Sequence, residues 1–279
     1  YFRYMCGQNR SMYTEYQPSH LLVPYIDNYW EFKGNPDYGM RIHILPDGCT
    51  DFIFTLGEVA NAVEEGSLIM QPYRSYFVGP MTKYSELVTY TESIHMFGVR
   101  FLPCGLSCFT NLPLHEFVNS RVSTNEMKAV FDDTFIEKLG EQKHVTDRIR
   151  VVEEYLLAYL ARHYQPADSH VAMAVNMINH SKGKRSVRSL MDDVCLCQRH
   201  FERKFKHYTG FTPKEYSRIV KFKNAVELLR TTTSANLLTT AVDAGYYDLA
   251  HFSKEIKSMS GNTPASFLSL TVPEETTLT

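Results

Sequence analysis

Between Arg41 and Phe101 apolar and polar residues alternate, which is the period of a strand with one buried face. The alternation predicts strands at Arg41–Leu45, Asp51–Leu56, Ser75–Val78, Tyr84–Tyr90 and Ile94–Phe101. Pro46-Asp-Gly48, Gly79-Pro80 and Leu102-Pro103 supply the turn and breaker residues between them. Short strands with frequent turns predict a mostly β front domain, roughly residues 1–140, built as a small barrel or sandwich with helices. From about Pro103 the period changes. Ile149, Val152, Leu156, Leu157 and Leu160 recur three and four residues apart, predicting a helix over Thr146–Tyr164 with one apolar stripe. That helix is read as a connector, residues 141–166. Its stripe either packs on its own domain or serves as a dimer face. Gln165-Pro-Ala-Asp168 interrupts the pattern, and Asp168 or Ser169 can cap a further helix that ends near Ser181-Lys-Gly-Lys184.

Beyond this point the chain reads as seven helices, residues 167–270, followed by a tail, 271–279. Ser186 caps a short helix, Cys197 opens a second that Gly210 ends, and Thr212-Pro213 starts a long one to about Arg230. The unit then recurs. A helix covers about Asn236–Ala244 and stops at Gly245, Asp248 caps the next, Gly261 ends it, and Thr263-Pro264 starts the last. Shifted by 51 positions, Phe201 falls on Phe252, Phe205 on Ile256, Gly210 on Gly261 and Pro213 on Pro264. Phe201, Phe205 and Tyr208 are the expected core face of the first copy, and Phe252, Ile256 and Met259 that of the second. The outward positions are Gln198, Arg199, Glu202, Arg203 and Lys206, and then Leu249, Ala250, His251, Lys254 and Lys257. Helix, tight turn and basic helix is the plan of a helix-turn-helix. A duplicated copy lets one chain place two helices in successive major grooves, about 34 Å apart. The connecting helix of roughly eighteen residues spans about 27 Å.

Charge sharpens this division. The whole chain of 279 residues carries a net −2, but residues 182–269 hold 15 Lys and Arg against 8 Asp and Glu. The remainder is acidic, including Glu274 and Glu275 in the tail. A basic third on an acidic body indicates a polyanion-binding module attached to something else. With 44% apolar and 22% charged residues and no run of 18 apolar positions, the composition is that of a globular protein with no membrane partner. The start YFRYMCGQNR has no apolar stretch of the kind a signal peptide needs. Six cysteines, at 6, 49, 104, 108, 195 and 197, lack zinc-finger spacing and read as buried thiols rather than a disulfide framework.

The segment 168–269 resembles the AraC/XylS family of bacterial transcription regulators. FERKFKHYTGFTPKEY, the linker KNAVELLRTT and AGYYDLAHFSKEIKSMSGNTPASF carry the resemblance. It implies contacts with promoter DNA at Arg199, Glu202, Arg203 and Lys206, and at Leu249, Ala250, His251 and Lys254. It further implies a regulator of the activator kind that is cytoplasmic and nucleoid-associated, works with RNA polymerase and needs no cofactor, and whose front domain binds a small-molecule effector, dimerises, or both. A homodimer is expected because symmetric association is common and doubles the contacts. Two departures stand out: Cys197 occupies a position where the family usually has a serine cap, and Leu249 and Ala250 are apolar where polar base readers are common. The second helix is therefore expected to touch thymine methyls and phosphates more than it reads base edges by hydrogen bonds.

In the front domain ILPDGCTDFIF, FVGPMT and GVRFLPCGL are similar to an N-terminal domain found on some such regulators. Trp30, Arg41, Tyr84 and Arg100 are the candidates for a ligand site, together with Tyr29 and Phe32. Arg100 sits in an apolar strand and must find a carboxylate, a ligand or a partner subunit. An enzyme or metal-binding barrel would draw on His43, Asp51 and His95, or on Cys49 with His43. His95 shares a face with Phe97, Val99 and Phe101, so it reads as a packed histidine, and no metal and no catalytic residue is expected. The readings that stay open beside a ligand-sensing regulator are a barrel-type enzyme or metal-binding domain fused to the DNA-binding module, and a regulator that needs no ligand.

Overall fold

The computed structural model describes residues 12–127, 130–131, 133–194, 196–231 and 237–268. Cys6, Cys195, the predicted helix start at Asn236 and the tail with Glu274 and Glu275 lie outside the described residues. The strands are β1 (Tyr13–Tyr16), β2 (Ile26–Gly34), β3 (Met40–Ile44), β4 (Thr50–Thr55), β5 (Asn61–Ala62), β6 (Ser75–Val78), β7 (Ser85–Thr89), β8 (Ile94–Phe101) and β9 (Arg121–Ser123). They form a six-stranded sheet in the order β1-β2-β8-β4-β6-β9 and a three-stranded sheet β3-β7-β5, all pairs antiparallel. Among the described residues the sheets do not close into a barrel, so of the two expected architectures the structure takes the layered one.

Alternation along the strands sorts side chains between two cores. Phe52, Phe54, Phe97, Val99 and Phe101 face one way, where α1 (Asp133–Gly140) and α2 (Val145–His163) cover them with Phe135, Val152 and Leu156. Trp30, Phe32, Ile53 and Met96 face the other way and meet Ile42 and Leu87 of the three-stranded sheet. β2 is the longest strand, yet its sequence IDNYWEFKG reads poorly because Asp27, Asn28, Glu31 and Lys33 interrupt the apolar pattern. Glu31 is resolved by partners from elsewhere: Arg148 of α2 donates to it at 3.0 Å, and His95 Nε2 lies 3.0 Å away. His95 is thus a hydrogen-bond partner of Glu31 rather than a plain packed ring. The apolar stripe of α2 is spent on its own sheet, with Val152 and Leu156 fully buried, so it is not free to serve as a dimer face.

The helical domain contains α3 (Ser169–His180), α4 (Val187–Val194), α5 (Gln198–Thr209), α6 (Pro213–Thr231), α7 (Leu237–Asp243), α8 (Leu249–Ser260) and α9 (Ala265–Leu268). The expected caps are in place. Asp168 accepts from the amides of His170 and Val171, and Ser186 from that of Ser189. Thr212 and Glu215 bond reciprocally across the first turn of α6. Among the described residues no helix is long and apolar enough to cross a membrane.

The turn at Asp47-Gly48 joins β3 in one sheet to β4 in the other and touches the helical domain as it does so. Gly48 has φ +89°, and a Cβ there would stand 2.6 Å from the Tyr216 ring on α6. Lys223 Nζ, also on α6, donates to the Asp47 carbonyl at 3.3 Å. Gly48→Ala is expected to cost about 2 kcal/mol, from left-handed strain plus the close contact, and so to lower Tm by about 4–8 °C. Differential scanning calorimetry measures this, and an unchanged Tm would show that the two domains separate here without resistance.

Candidate nucleic-acid interface

The two repeats build two equivalent helices. α5 and α8 are each 12 residues long. Each ends at a glycine in the left-handed region, Gly210 at φ 83° and Gly261 at φ 73°, whose amide donates to the carbonyl of Lys206 or Lys257. Each carries a buried hydroxyl one residue before that glycine. Thr209 donates to the Phe205 carbonyl at 2.7 Å and accepts from the Phe211 amide, while Ser260 donates to the Ile256 carbonyl at 2.6 Å and accepts from the Asn262 amide. Either hydroxyl alone is inconspicuous in the sequence, and the signal that reveals the pair is its matched position in the repeat. Phe201, Phe205, Phe252, Ile256 and Met259 are buried in one core with α6, and Tyr208 lies at its edge, half buried.

The candidate DNA-contacting residues are placed on the opposite faces. Arg199, Arg203 and Lys206 are exposed on α5 and Glu202 is half exposed, accepting from Gln198 at 3.0 Å. Leu249, Ala250, His251 and Lys254 are all exposed on α8. The caps differ between the copies. Asp248 accepts from the His251 amide at 2.7 Å, whereas Cys197 makes no side-chain cap. Tyr247, just before α8, is 92% exposed, although in the sequence an aromatic residue in this position reads as core.

A 19-residue α6 fixes the two helices relative to each other, at about 1.5 Å per residue or about 28 Å. Tyr216 of α6 donates to Asn179, Arg218 pairs with Glu255 of α8, and Lys221 lies over the Tyr246 ring at 5.6 Å. Lys204 reaches back from α5 to Asp168 at 2.6 Å, where burial would raise the carboxyl but Lys204 holds it below its ordinary range.

The front domain touches both recognition helices at their C-terminal ends. Leu114–Phe117 lies against α5, and His207 sits 3.1 Å from Asn111 and beside His115. Burial, and then the neighbouring His115, lower the His207 pKa. A Cβ at Gly210 would meet Pro80 at 2.5 Å, and one at Gly261 would meet the Tyr84 ring at 2.7 Å. The polar positions on the first turns of α5 and α8 remain exposed.

The front-domain candidates do not converge. Trp30 donates to Asp51 at 2.8 Å and is buried. Arg100 is also buried and forks onto Asp51 at 3.1 Å, with Asp47 at 3.2 Å, so its partners are internal carboxylates. Arg41 pairs with Glu86 on the surface, and His43 lies 2.9 Å from the same glutamate. Of the four, Tyr84 borders a cleft. Cys49 is buried, and burial followed by Asp47 pushes its thiol well up, which does not suit a nucleophile. His43, Asp51 and His95 are each engaged elsewhere, and among the described residues no group of three His, Cys, Asp or Glu is arranged to hold a metal.

Two exposed, partly basic helices held by a rigid third define a double helix-turn-helix DNA-binding module. Residues 190–269 match the family described as a helix-turn-helix domain, and this C-terminal domain is of AraC type, the DNA-binding unit of transcription regulators. Residues 14–123 match a family described only as a domain of unknown function, DUF6597. Among curated proteins none matches the chain. Of solved structures, ToxT from Vibrio cholerae shares the two-domain fold at 8% identity and a TM-score of 0.51, over 88% of this chain and 99% of that one. A probable AraC family transcriptional regulator from Rhodopseudomonas palustris is 20% identical over 38% of this chain and 100% of its own, with a TM-score of 0.35. The C-terminal domain of AraT, a response regulator from Geobacillus stearothermophilus, is 20% identical over 40% of this chain and 94% of its own, with a TM-score of 0.36.

Proposed function

We propose that this chain is a sequence-specific transcription regulator that inserts α5 and α8 into successive major grooves of promoter DNA. Arg199, Arg203 and Lys206 meet phosphates and base edges in the first groove, with Glu202 available to accept from cytosine. In the second, Leu249 and Ala250 lie against apolar base edges while His251 and Lys254 reach polar groups and phosphates. The observation that carries this reading is the matched pair of helices, alike in length, caps and buried hydroxyls, with their polar faces exposed and a single helix setting their separation. The front domain receives the signal, through a small-molecule effector, self-association, or both, and RNA polymerase is the partner that reads the outcome. Its contacts with the C-terminal ends of both α5 and α8 support this role, since a shift there changes how the two helices are presented.

Selection of bound duplexes from a randomised pool by the full chain tests the proposal. Two short motifs about one helical turn apart are expected. Arg203→Ala and Lys254→Ala should each weaken binding to the selected site by about tenfold and reduce the slope of log affinity against log salt by about 1. Recovery of no motif, or an unchanged salt slope in both variants, would overturn it.

A further inference from the structure

A cleft of about 420 Å³ opens between the two sheets of the front domain, where β9 at the edge of one faces β7 of the other. Its size suits a small organic ligand. Leu68, Val78, Met81 and Val122 give it apolar wall, and Ser85, Ser120 and Asn119 add polar groups. Arg121 lies in this wall. Its Nη2 donates to Ser85 Oγ at 2.8 Å, while among the described residues the buried Nε and the Nη1 find no partner. Among the described residues no carboxylate lies within ion-pair distance of it. Burial accordingly makes its charge costly, and lowers its pKa, with Glu64 and Asp51 too distant to offset the effect. A half-buried guanidinium in a cleft wall, with no counter-charge among the described residues, is the complement of an incoming anion.

The rim limits which anion fits. Lys83 is taken up by Glu64 at 3.1 Å, and Glu65 stands beside them, so the mouth is no more positive than negative. A dianion such as a phosphate monoester meets two glutamates there, whereas a monoanion with an apolar body meets one guanidinium and the apolar wall. The remaining wall is Tyr84. Its ring stacks on His43 at 5.6 Å on one side, and its tip lies over Gly261, the C-cap of α8. One side chain therefore borders both the cleft and the second recognition helix.

We propose that this cleft binds a small organic monocarboxylate, with Arg121 holding the carboxylate, and that Tyr84 carries its presence to α8. The inference rests on the regulator reading above and gives its effector a chemical class and a place.

The test uses the full-length protein and a probe series: straight-chain monocarboxylates from butyrate to octanoate, and benzoate, each beside its uncharged alcohol or amide. At least one carboxylate is expected to bind with Kd below about 1 mM. It should raise Tm by about 3 °C at ten times its Kd, with no such shift from its neutral counterpart. Arg121→Gln should weaken it about tenfold or more. Leu68→Trp, which fills the cleft from a loop and leaves Arg121 intact, should do the same, so a folding defect in one variant does not decide the outcome. In wild-type protein saturating carboxylate should change affinity for the selected DNA site by about fivefold or more, and Tyr84→Ala, compared at its own saturating ligand concentration, should lose that change. Equal shifts with neutral probes, binding unaltered in both cleft variants, or no shift across the series overturns the site. Binding that leaves DNA affinity untouched overturns the coupling. Motif selection by the ligand-free protein is read separately, so a failed cleft leaves a specific DNA-binding protein, and a failed regulator reading shows itself there first.

Discussion

Arg100→Met is expected to destabilise the front domain by about 3–5 kcal/mol, because it removes the cation that pairs with two buried carboxylates. Asp47 and Asp51 are 4% and 8% exposed, and the Arg100 side chain forks between them. Burial alone would raise the Asp47 carboxyl, yet Arg100, helped by Lys223 and the Cys49 amide, holds it below its ordinary value. The sign of the pH effect follows. A carboxyl with a depressed pKa in the folded state contributes stability that is present above its unfolded value, about 3.9, and is lost as pH falls through the lower folded value. In the variant the same carboxyl keeps the burial and loses its chief compensation, so its pKa rises above the unfolded value. Its contribution is then present below about pH 4 and lost as pH increases. The gap in stability between wild type and variant should therefore widen from about pH 4 to pH 7 in urea titrations. A gap that is flat with pH would show that Asp47 does not depend on Arg100 for its charge. The Asp47 turn also rests on α6, so loosening it should weaken docking of the helical domain as well as the front domain itself.

Phe252→Ala is expected to cost about 3–5 kcal/mol by leaving a cavity beneath α8. Phe252 is fully buried with Ile256 and Met259, and Tyr246 packs on it at 5.2 Å. A domain with about 5–15 kcal/mol of total stability keeps little margin after such a loss. Because α8 is short and only marginally helical by itself, the loss falls on the second recognition helix first. DNA protection should shorten from two sub-sites to the one contacted by α5, while Phe201→Ala, at the matched position, should shorten it from the other end. Footprinting on the selected site distinguishes the two. If either variant protects the full site, the two helices are not independent readers.

The helical domain was legible because its signals are local. Gly210 and Gly261 end helices, Asp168, Ser186 and Asp248 cap them, and a repeat offset of 51 residues shows the same pattern twice. Nothing outside the segment is required to read that. The strands β3, β4, β6, β7 and β8 were equally plain, since alternation over four to eight residues needs no partner to be seen. β2 was less so, because Glu31 draws its partners Arg148 and His95 from residues 117 and 64 positions away. The candidate ligand residues show the same limit. Arg100 and Trp30 are conspicuous in the sequence for being charged or large in an apolar setting, but they satisfy each other's neighbour, Asp51. Arg121 is inconspicuous, a lone arginine between Ser120 and Val122, and becomes notable only when folding leaves it without a counter-ion.

The sequence by itself determined the strands β3, β4, β6, β7 and β8 and the helices from α2 onward, that the C-terminal third is a doubled basic helix-turn-helix, and which faces of α5 and α8 stay out of the core. Those properties depend on spacing within a few residues. The tertiary structure decided that β3 and β4, adjacent in sequence, belong to different sheets, that α2 belongs to the core of the front domain, and that Tyr84 stands between a cleft and the cap of α8. These depend on contacts across about fifty to nearly two hundred positions, whose closure is driven by burial summed over whole faces and so leaves no mark on any short stretch of sequence.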